Sequence, residues 1–321
     1  MNRKERVIAA IEHKPVDHVP VLFTSHFPRE EHFDRPAAEA HLRFFEEVSP
    51  DIQKIMNENL VPNFGKIRTP DDWKQIPKIG RGSPFIQRQL NMARDICERM
   101  DSSAFNVGTL HGIVASAIHP IEPDIGYEAA RALLCSHLRE KSGPVVDAMK
   151  RIADGMSELA RAYVDIGLDG IYFASLGGER HYFTDGEFAE YVAPLDKQIM
   201  SAAKAGGGRV VLHICKNDIA FDRYMDYEGL YDIVNWGVYE ADLSLRDGRK
   251  RFAKGAVMGG LSNQASAVIC TGTRQEVESA VRDVLEEIGS DGFILGTDCT
   301  LPTNLPYQQL RYVTDYLRSR A

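Results

Sequence analysis

The sequence predicts an α/β protein that folds as one (β/α)8 TIM barrel over residues 1–321. Short apolar runs rich in β-branched residues alternate with longer segments of helical periodicity along the whole chain, a pattern typical of βαβ units and a parallel sheet. Eight such runs are present, and eight β/α units close into a barrel. No Gly-x-Gly-x-x-Gly motif follows the first run, so an open dinucleotide-binding sheet is disfavoured.

The individual elements follow from periodicity and from the residues that end them. The clearest helix is predicted at 144–166, where apolar residues recur at helical spacing and Gly167 follows. A second helix is predicted at 279–288, before Gly289. The first residues predict a short amphipathic helix, an N-terminal extension of the barrel. The candidate strands are 19–23, 51–57, 104–109, 169–175, 209–215, 232–236, 256–261 and 292–297.

Two connections are longer than ordinary barrel loops. Residues 58–103 begin with a segment rich in Pro and Gly and continue into a helix-like stretch at 86–100. This long insertion is expected near the barrel mouth, as a lid or an entrance wall. Residues 110–143 are expected to hold one or two additional helices.

Composition restricts the function classes. Hydrophobic residues make up 44% and charged residues 26% of the chain, as in soluble globular proteins. The formal net charge of −8 argues against nucleic acid or an anionic membrane as a partner. No apolar run is long enough for a membrane span, and Glu12 comes too early for a signal-peptide core. Five scattered cysteines do not suggest a disulfide framework, so a reduced, cytoplasmic protein is expected.

A candidate metal site lies at the ends of two predicted strands. His213 and Cys215 end the fifth strand, and Cys299 follows the eighth. Residues i and i+2 of a strand point to the same side, so His213 and Cys215 can face one metal ion. Barrel active sites lie at these C-terminal strand ends. Three protein ligands with an open fourth position are the pattern of a catalytic zinc, whereas ordinary core packing of these side chains is the alternative.

This ligand set also constrains the chemistry. Two thiolates and a neutral imidazole cancel the charge of Zn²⁺, so the metal would activate water less well than in a three-histidine site. A substrate thiol would lose its proton on binding, and the electron-rich sulfur favours attack on an alkyl donor over hydrolysis. Alcohol dehydrogenase has the same ligand types and is the counter-example, but no nicotinamide-binding fingerprint supports it here.

Further polar residues near strand ends are candidate substrate ligands. The candidates are His26, His111, Ser175, Asn217, Asn263 and Asp298. For Asp298 the alternative role is capping of the following turn, and for the two asparagines it is turn formation.

Four segments resemble the uroporphyrinogen decarboxylase superfamily, whose members are (β/α)8 barrels. Arg3–Val21 resembles the superfamily's start, and Ala162–Phe173 resembles its fourth β/α unit. Met258–Asn263 and Gly296–Pro302 resemble its last two strand ends. The similarity runs over nearly the whole chain, so a uroporphyrinogen decarboxylase-like barrel is expected.

His213, Cys215 and Cys299 are similar to the zinc motif of this superfamily's corrinoid-linked methyltransferases, such as methylcobamide:coenzyme M methyltransferase. The resemblance implies that these residues hold zinc and that a methyl group moves between a corrinoid and a small acceptor or donor. That molecule could be a thiol such as coenzyme M, a tetrahydrofolate or a methoxylated compound. No corrinoid-binding Asp-x-His-x-x-Gly motif is present, so methylcobalamin is expected free or on a separate corrinoid protein.

Three departures from the family pattern concern the substrate. Asp298 stands where Gly is usual, and His111 interrupts a normally apolar stretch. The decarboxylase branch carries Arg-Gln-Ala-Gly-Arg where this chain has Ser25-His-Phe-Pro-Arg29, which disfavours porphyrin decarboxylation. Two rival functions stay open: a metal-free decarboxylase of the uroporphyrinogen decarboxylase type, and a non-catalytic barrel that binds a corrinoid or zinc.

Overall fold

The computed structural model describes residues 1–320 and contains a closed barrel of eight parallel strands in sequence order. Strand β1 closes the ring on β8, with Val21 beside Leu295. The predicted (β/α)8 TIM barrel is therefore confirmed, together with its N-terminal helix. The strands are β1 (Val21–Leu22), β2 (Ile52–Ile55), β3 (Phe105–His111), β4 (Gly170–Ser175), β5 (Arg209–Ile214), β6 (Ile233–Trp236), β7 (Ala256–Leu261) and β8 (Phe293–Thr297).

Seven of the eight strands lie inside the segments predicted for them, and β3 runs two residues further, to His111. Cys215 lies just beyond β5, but its backbone N–H still donates to the carbonyl of Ser175, at 3.1 Å. The ladder between β4 and β5 therefore continues through Cys215 and carries its side chain in the same pleat as that of His213.

The helices alternate with the strands around the barrel. The predicted helix 144–166 is the second part of α6, which bends at Lys141 (φ −156°, ψ 87°). The predicted helix 279–288 begins earlier, because Thr273 and Glu276 form a capping box. The helices are α1 (Arg3–Ile11), α2 (Asp34–Val48), α3 (Pro84–Arg99), α4 (Ile113–Ile118), α5 (Glu122–Ile125), α6 (Tyr127–Asp165), α7 (Asp185–Glu187), α8 (Ala193–Ala205), α9 (Leu245–Arg251), α10 (Val268–Thr271), α11 (Arg274–Ile288) and α12 (Tyr307–Arg318).

Helix α1 closes the N-terminal end of the barrel. Its apolar face, with Val7 and Ile11, packs in one cluster with the side chains of the barrel interior. The guanidinium of Arg6 fixes the helix there, since it donates to Asp51 at 2.5 Å and to Asp17 at 2.6 Å. Open space in the barrel is therefore left at the other end, where the strands finish.

The segment 58–103 has two parts. Its second part contains α3, which packs against α2 in the outer layer of helices. Its first part carries the short 3-10 helix Pro70–Gln75, which packs on α6, where Trp73 donates its indole N–H to His137 at 3.0 Å. No helix within residues 1–320 is both long and apolar enough to cross a membrane.

Candidate metal centre

A cavity of about 430 Å³ occupies the C-terminal end of the barrel. Lys54, Thr109 and Tyr172, on β2, β3 and β4, line it from the barrel interior. Glu58 and Leu60, from the segment that follows β2, also line it. The position agrees with the rule that barrel sites are built from the C-terminal ends of strands.

The three predicted metal ligands meet in this cavity. The ligand atoms of His213, Cys215 and Cys299 all lie within 4.8 Å of one another. The two Sγ atoms are 4.0 Å apart, and the Sγ of Cys299 lies 3.7 Å from the Nε2 of His213. His213 is buried, while both cysteines are partly exposed to the cavity. Pleating places the first two on one face of β5, and barrel closure brings Cys299 to them.

Asn235 fixes the imidazole of His213. The two residues pair across β5 and β6, and the Nδ1 of His213 lies 2.5 Å from the Oδ1 of Asn235. The amide nitrogen of Asn235 donates to the carbonyls of Met258 and Thr297, so its oxygen is the acceptor. Nδ1 of His213 therefore carries the proton, and Nε2 presents a lone pair to the cysteines. A metal-binding histidine needs this tautomer.

The pKa values of the two cysteines are shifted in opposite directions by their contact. Hydrogen bonding to Cys215 lowers the pKa of Cys299 far below its ordinary value. The same thiol–thiolate bond and burial raise the pKa of Cys215 well above its ordinary value. A divalent cation among these side chains would favour ionisation of both, because a coordinating thiol is deprotonated.

Hydrogen bonds from the segment that follows β1 locate the main chain around Cys299. The hydroxyl of Thr24 donates to the carbonyl oxygen of Cys299 at 2.6 Å. The same hydroxyl lies 3.1 Å from that of Thr297, and both threonines are buried. The third ligand is thus held by a fixed turn after β8.

Two of the predicted substrate ligands, His26 and His111, line the cavity. His26 donates from Nδ1 to Glu58 at 2.6 Å. Burial disfavours ionisation of Glu58, but this hydrogen bond and nearby positive charge outweigh it and lower the pKa of that carboxyl. The ring of His111 packs edge to face on that of His119, with centroids 4.9 Å apart. Burial lowers the pKa of His111 to about 4, so its imidazole is neutral at pH 7.

The other predicted substrate ligands lie outside the lining of the cavity. Ser175 alternates with the inward-facing Ala174, and its hydroxyl donates to Asp196 behind the sheet at 3.2 Å. The remaining three, Asn217, Asn263 and Asp298, lie in the loops. Asn217 is exposed, Asn263 donates to the carbonyl of Thr300 at 3.2 Å, and the buried carboxylate of Asp298 accepts the N–H of Tyr239 at 2.7 Å. Burial raises the pKa of Asp298 to about 7.

Sequence reasoning did not identify three residues of the site: Lys54, Glu58 and Asn235. Lys54 and Asn235 each stand inside a short strand that is otherwise largely apolar. A polar residue at an inward position of a barrel strand is the signal that could have found them. Whether such a side chain points into the barrel is known only once the register of the strands is known.

The family model of uroporphyrinogen decarboxylase (URO-D) matches residues 52–320, from β2 to the end of the described chain. The chain belongs to the uroporphyrinogen decarboxylase family. The membership predicted from the four resembling segments is therefore confirmed. Comparison with curated proteins finds no match.

Solved structures share the fold of this family member. A methyltransferase from Methanosarcina mazei is 17% identical, with 99% of each chain covered and a TM-score of 0.76. A B12-independent methionine synthase from a Shewanella species, in complex with selenomethionine, is 13% identical, with 94% of this chain and 96% of that chain covered and a TM-score of 0.59. At these identities the likeness shows the barrel fold.

Proposed function

We propose that this protein is a zinc-dependent methyltransferase that moves a methyl group between a corrinoid and a small molecule bound at the metal. The observation that carries the proposal is the set of ligand atoms of His213, Cys215 and Cys299, which lie within 4.8 Å of one another in a cavity at the barrel mouth. The solved structures named as a methyltransferase and a methionine synthase, which share the fold, agree with methyl transfer.

The residues present fit a zinc ion. One imidazole nitrogen and two thiolate sulfurs are ligands that zinc prefers, and three protein ligands leave the fourth position open. Asn235 already holds His213 in the metal-binding tautomer. When bound, zinc supplies a Lewis-acidic position at which a substrate thiol is held as its thiolate. In this proposal the corrinoid is a co-substrate, free or on a separate protein that docks over the barrel mouth.

The protein's own side chains prepare the site for such a substrate. Tyr172 stacks on the ring of His213, with centroids 5.5 Å apart, and covers the face of the imidazole. Leu176 and Ala174 give one side of the cavity an apolar wall. Such a wall offers water no hydrogen-bond partner, which would limit the solvation of a nucleophilic sulfur on that side.

Decarboxylation of a porphyrin-like acid has less support from the site. Arg29 is exposed in a short 3-10 turn, and within residues 1–320 no arginine lines the cavity. A polyacidic tetrapyrrole would therefore lack bidentate partners for its carboxylates. The two cysteines would also have no role in that reaction.

Metal analysis of the purified protein tests the zinc centre. We expect about one zinc per chain in the wild-type protein and a large loss in Cys215→Ser, since a serine hydroxyl does not replace a thiolate. Cys97→Ser is the matched control, because Cys97 lies on α3, outside the cavity. Zinc below about 0.2 per chain in the wild-type protein, after expression with added zinc, contradicts the proposal.

Methyl transfer is tested with the cobalamin spectrum. Zinc-loaded protein is mixed with methylcobalamin and a panel of thiols and tetrahydrofolates as methyl acceptors, and the conversion to cob(I)alamin is followed. Methoxyarenes, which are methyl donors, are mixed with cob(I)alamin instead, and the formation of methylcobalamin is followed. We expect conversion with at least one partner in the wild-type protein and none in Cys215→Ser. Cobalamin binding without conversion with any partner would support the non-catalytic barrel. Conversion that persists after zinc removal would contradict a role for the metal.

A further inference from the structure

A buried lysine lies in the same cavity without a direct hydrogen-bonded or ion-paired partner from the described part of the protein. Lys54 is on β2 and 9% exposed, and its side chain lines the cavity together with the three candidate metal ligands. Its ammonium group lies 4.5 Å above the ring of Tyr172. Within residues 1–320 no carboxylate, hydroxyl or carbonyl oxygen forms a hydrogen bond or an ion pair with it.

Such a lysine is unfavourable unless a charged partner arrives. A buried ammonium loses its hydration, and a cation–π contact replaces only part of it. Burial accordingly lowers the pKa of Lys54 to about 8, so that the group is still largely cationic at pH 7. The lost hydration of this ammonium group destabilises the protein, and a bound anion would offset that destabilisation.

The nearby negative groups are already engaged. Glu58 accepts a hydrogen bond from His26 at 2.6 Å. The two cysteines face each other and His213, and in a zinc-loaded site the metal compensates their charge. The other cavity lysine, Lys216, also has only a cation–π contact, at 4.6 Å from the ring of Tyr127, but it lies in the loop after β5 and is more exposed than Lys54. Lys54 is therefore the buried cation of the cavity that has no hydrogen-bonded or ion-paired partner among the described residues.

We propose that Lys54 is the anion subsite of this cavity and pairs with a carboxylate or sulfonate of the small thiol that binds at the metal. This inference rests on the proposed function for the thiol, but the anion contact itself does not depend on zinc. Lys54 thus determines specificity: it selects acidic thiols over neutral thiols of the same size. An ammonium acts here as a point charge, so both planar and tetrahedral acid groups fit.

Calorimetric titration with mercaptopropionate and mercaptopropanol tests this subsite, because the two thiols differ mainly in the acid group. We expect the wild-type, zinc-loaded protein to bind the acid about 10- to 100-fold more tightly, the range of a hydrogen bond to a charged group. Lys54→Met and Lys54→Gln should bind both thiols with similar affinity at unchanged zinc content. Lys78→Met is the control, since Lys78 is exposed in a neighbouring groove.

The same titration in Cys215→Ser separates the two proposals. Both thiols should bind more weakly there, but the preference for the acid should remain, because Lys54 is intact. If the protein binds no zinc or transfers no methyl group, but its preference for the acidic thiol depends on Lys54, the subsite is supported and the proposed function is refuted. Equal affinities in the wild-type protein, binding of neither thiol, or a preference that survives in both Lys54 variants would overturn the subsite.

Discussion

Replacing Asn235 with alanine is expected to weaken metal binding even though this residue is not a ligand. The change removes the acceptor of the Nδ1–H of His213 and the two bonds from the amide nitrogen to Met258 and Thr297. The imidazole of His213 then loses the contact that fixes its tautomer and orientation. Its Nε2 is no longer held toward the two sulfurs.

The size of the effect follows from these contacts. Loss of a group that orients a ligating histidine typically lowers metal affinity 10- to 100-fold, which is about 1.4–2.8 kcal/mol. The metal-free protein also loses three buried hydrogen bonds and leaves two carbonyls without this donor. We expect its free energy of unfolding to fall by about 2–4 kcal/mol. The two effects are separable because they are measured on different forms.

Competition with a chromophoric chelator gives the zinc affinity, and urea unfolding of the metal-free protein gives the stability. Asn235→Asp keeps an acceptor for His213 but turns an oxygen toward two carbonyls, so affinity should be retained better than stability. Asn106→Ala is the matched control, since Asn106 is a buried asparagine on β3 outside the cavity lining. Its zinc affinity should equal that of the wild-type protein.

Unchanged zinc affinity in Asn235→Ala, with reduced stability, would refute this reasoning and make Asn235 a purely structural residue. An equal loss of affinity in Asn106→Ala would refute it as well, because the effect would then follow general loosening of the barrel.

Two further predictions concern stability. Burial raises the pKa of Asp196, which accepts the N–H of Ile113 at 2.7 Å, to about 7. The folded state therefore binds this proton more tightly than the unfolded chain, and stability falls by up to about 4 kcal/mol as pH rises from about 4 to about 7. Asp196→Asn should remove this component from urea unfolding measured over that range, and parallel profiles for the two proteins would contradict it. A Cβ at Gly108 would lie 2.6 Å from the ring of Tyr163, so Gly108→Ala should destabilise by about 1–3 kcal/mol. Gly82→Ala, where the added Cβ meets nothing within 4 Å, should unfold near the wild-type urea midpoint.

The positions of the strands can be predicted from the sequence because each barrel strand is a short apolar run between helical segments. The candidate ligands His213 and Cys215 can also be predicted, because two residues separated by one position lie on the same face of any strand. Ser175 shows the limit of this logic. It ends a strand as predicted, but pleating turns it outward to Asp196.

The sequence by itself determined the eight β/α units, the family and the two strand ends that carry histidine and cysteine, because these depend on local periodicity and on order along the chain. The tertiary structure decided which side chains meet. Barrel closure brings Cys299 beside Cys215, which is 84 positions earlier in the chain. The register of β5 and β6 places Asn235 behind His213, and the inward pleat of β2 places Lys54 in the same cavity. Contacts between distant strands depend on register and closure, which no single segment of sequence contains.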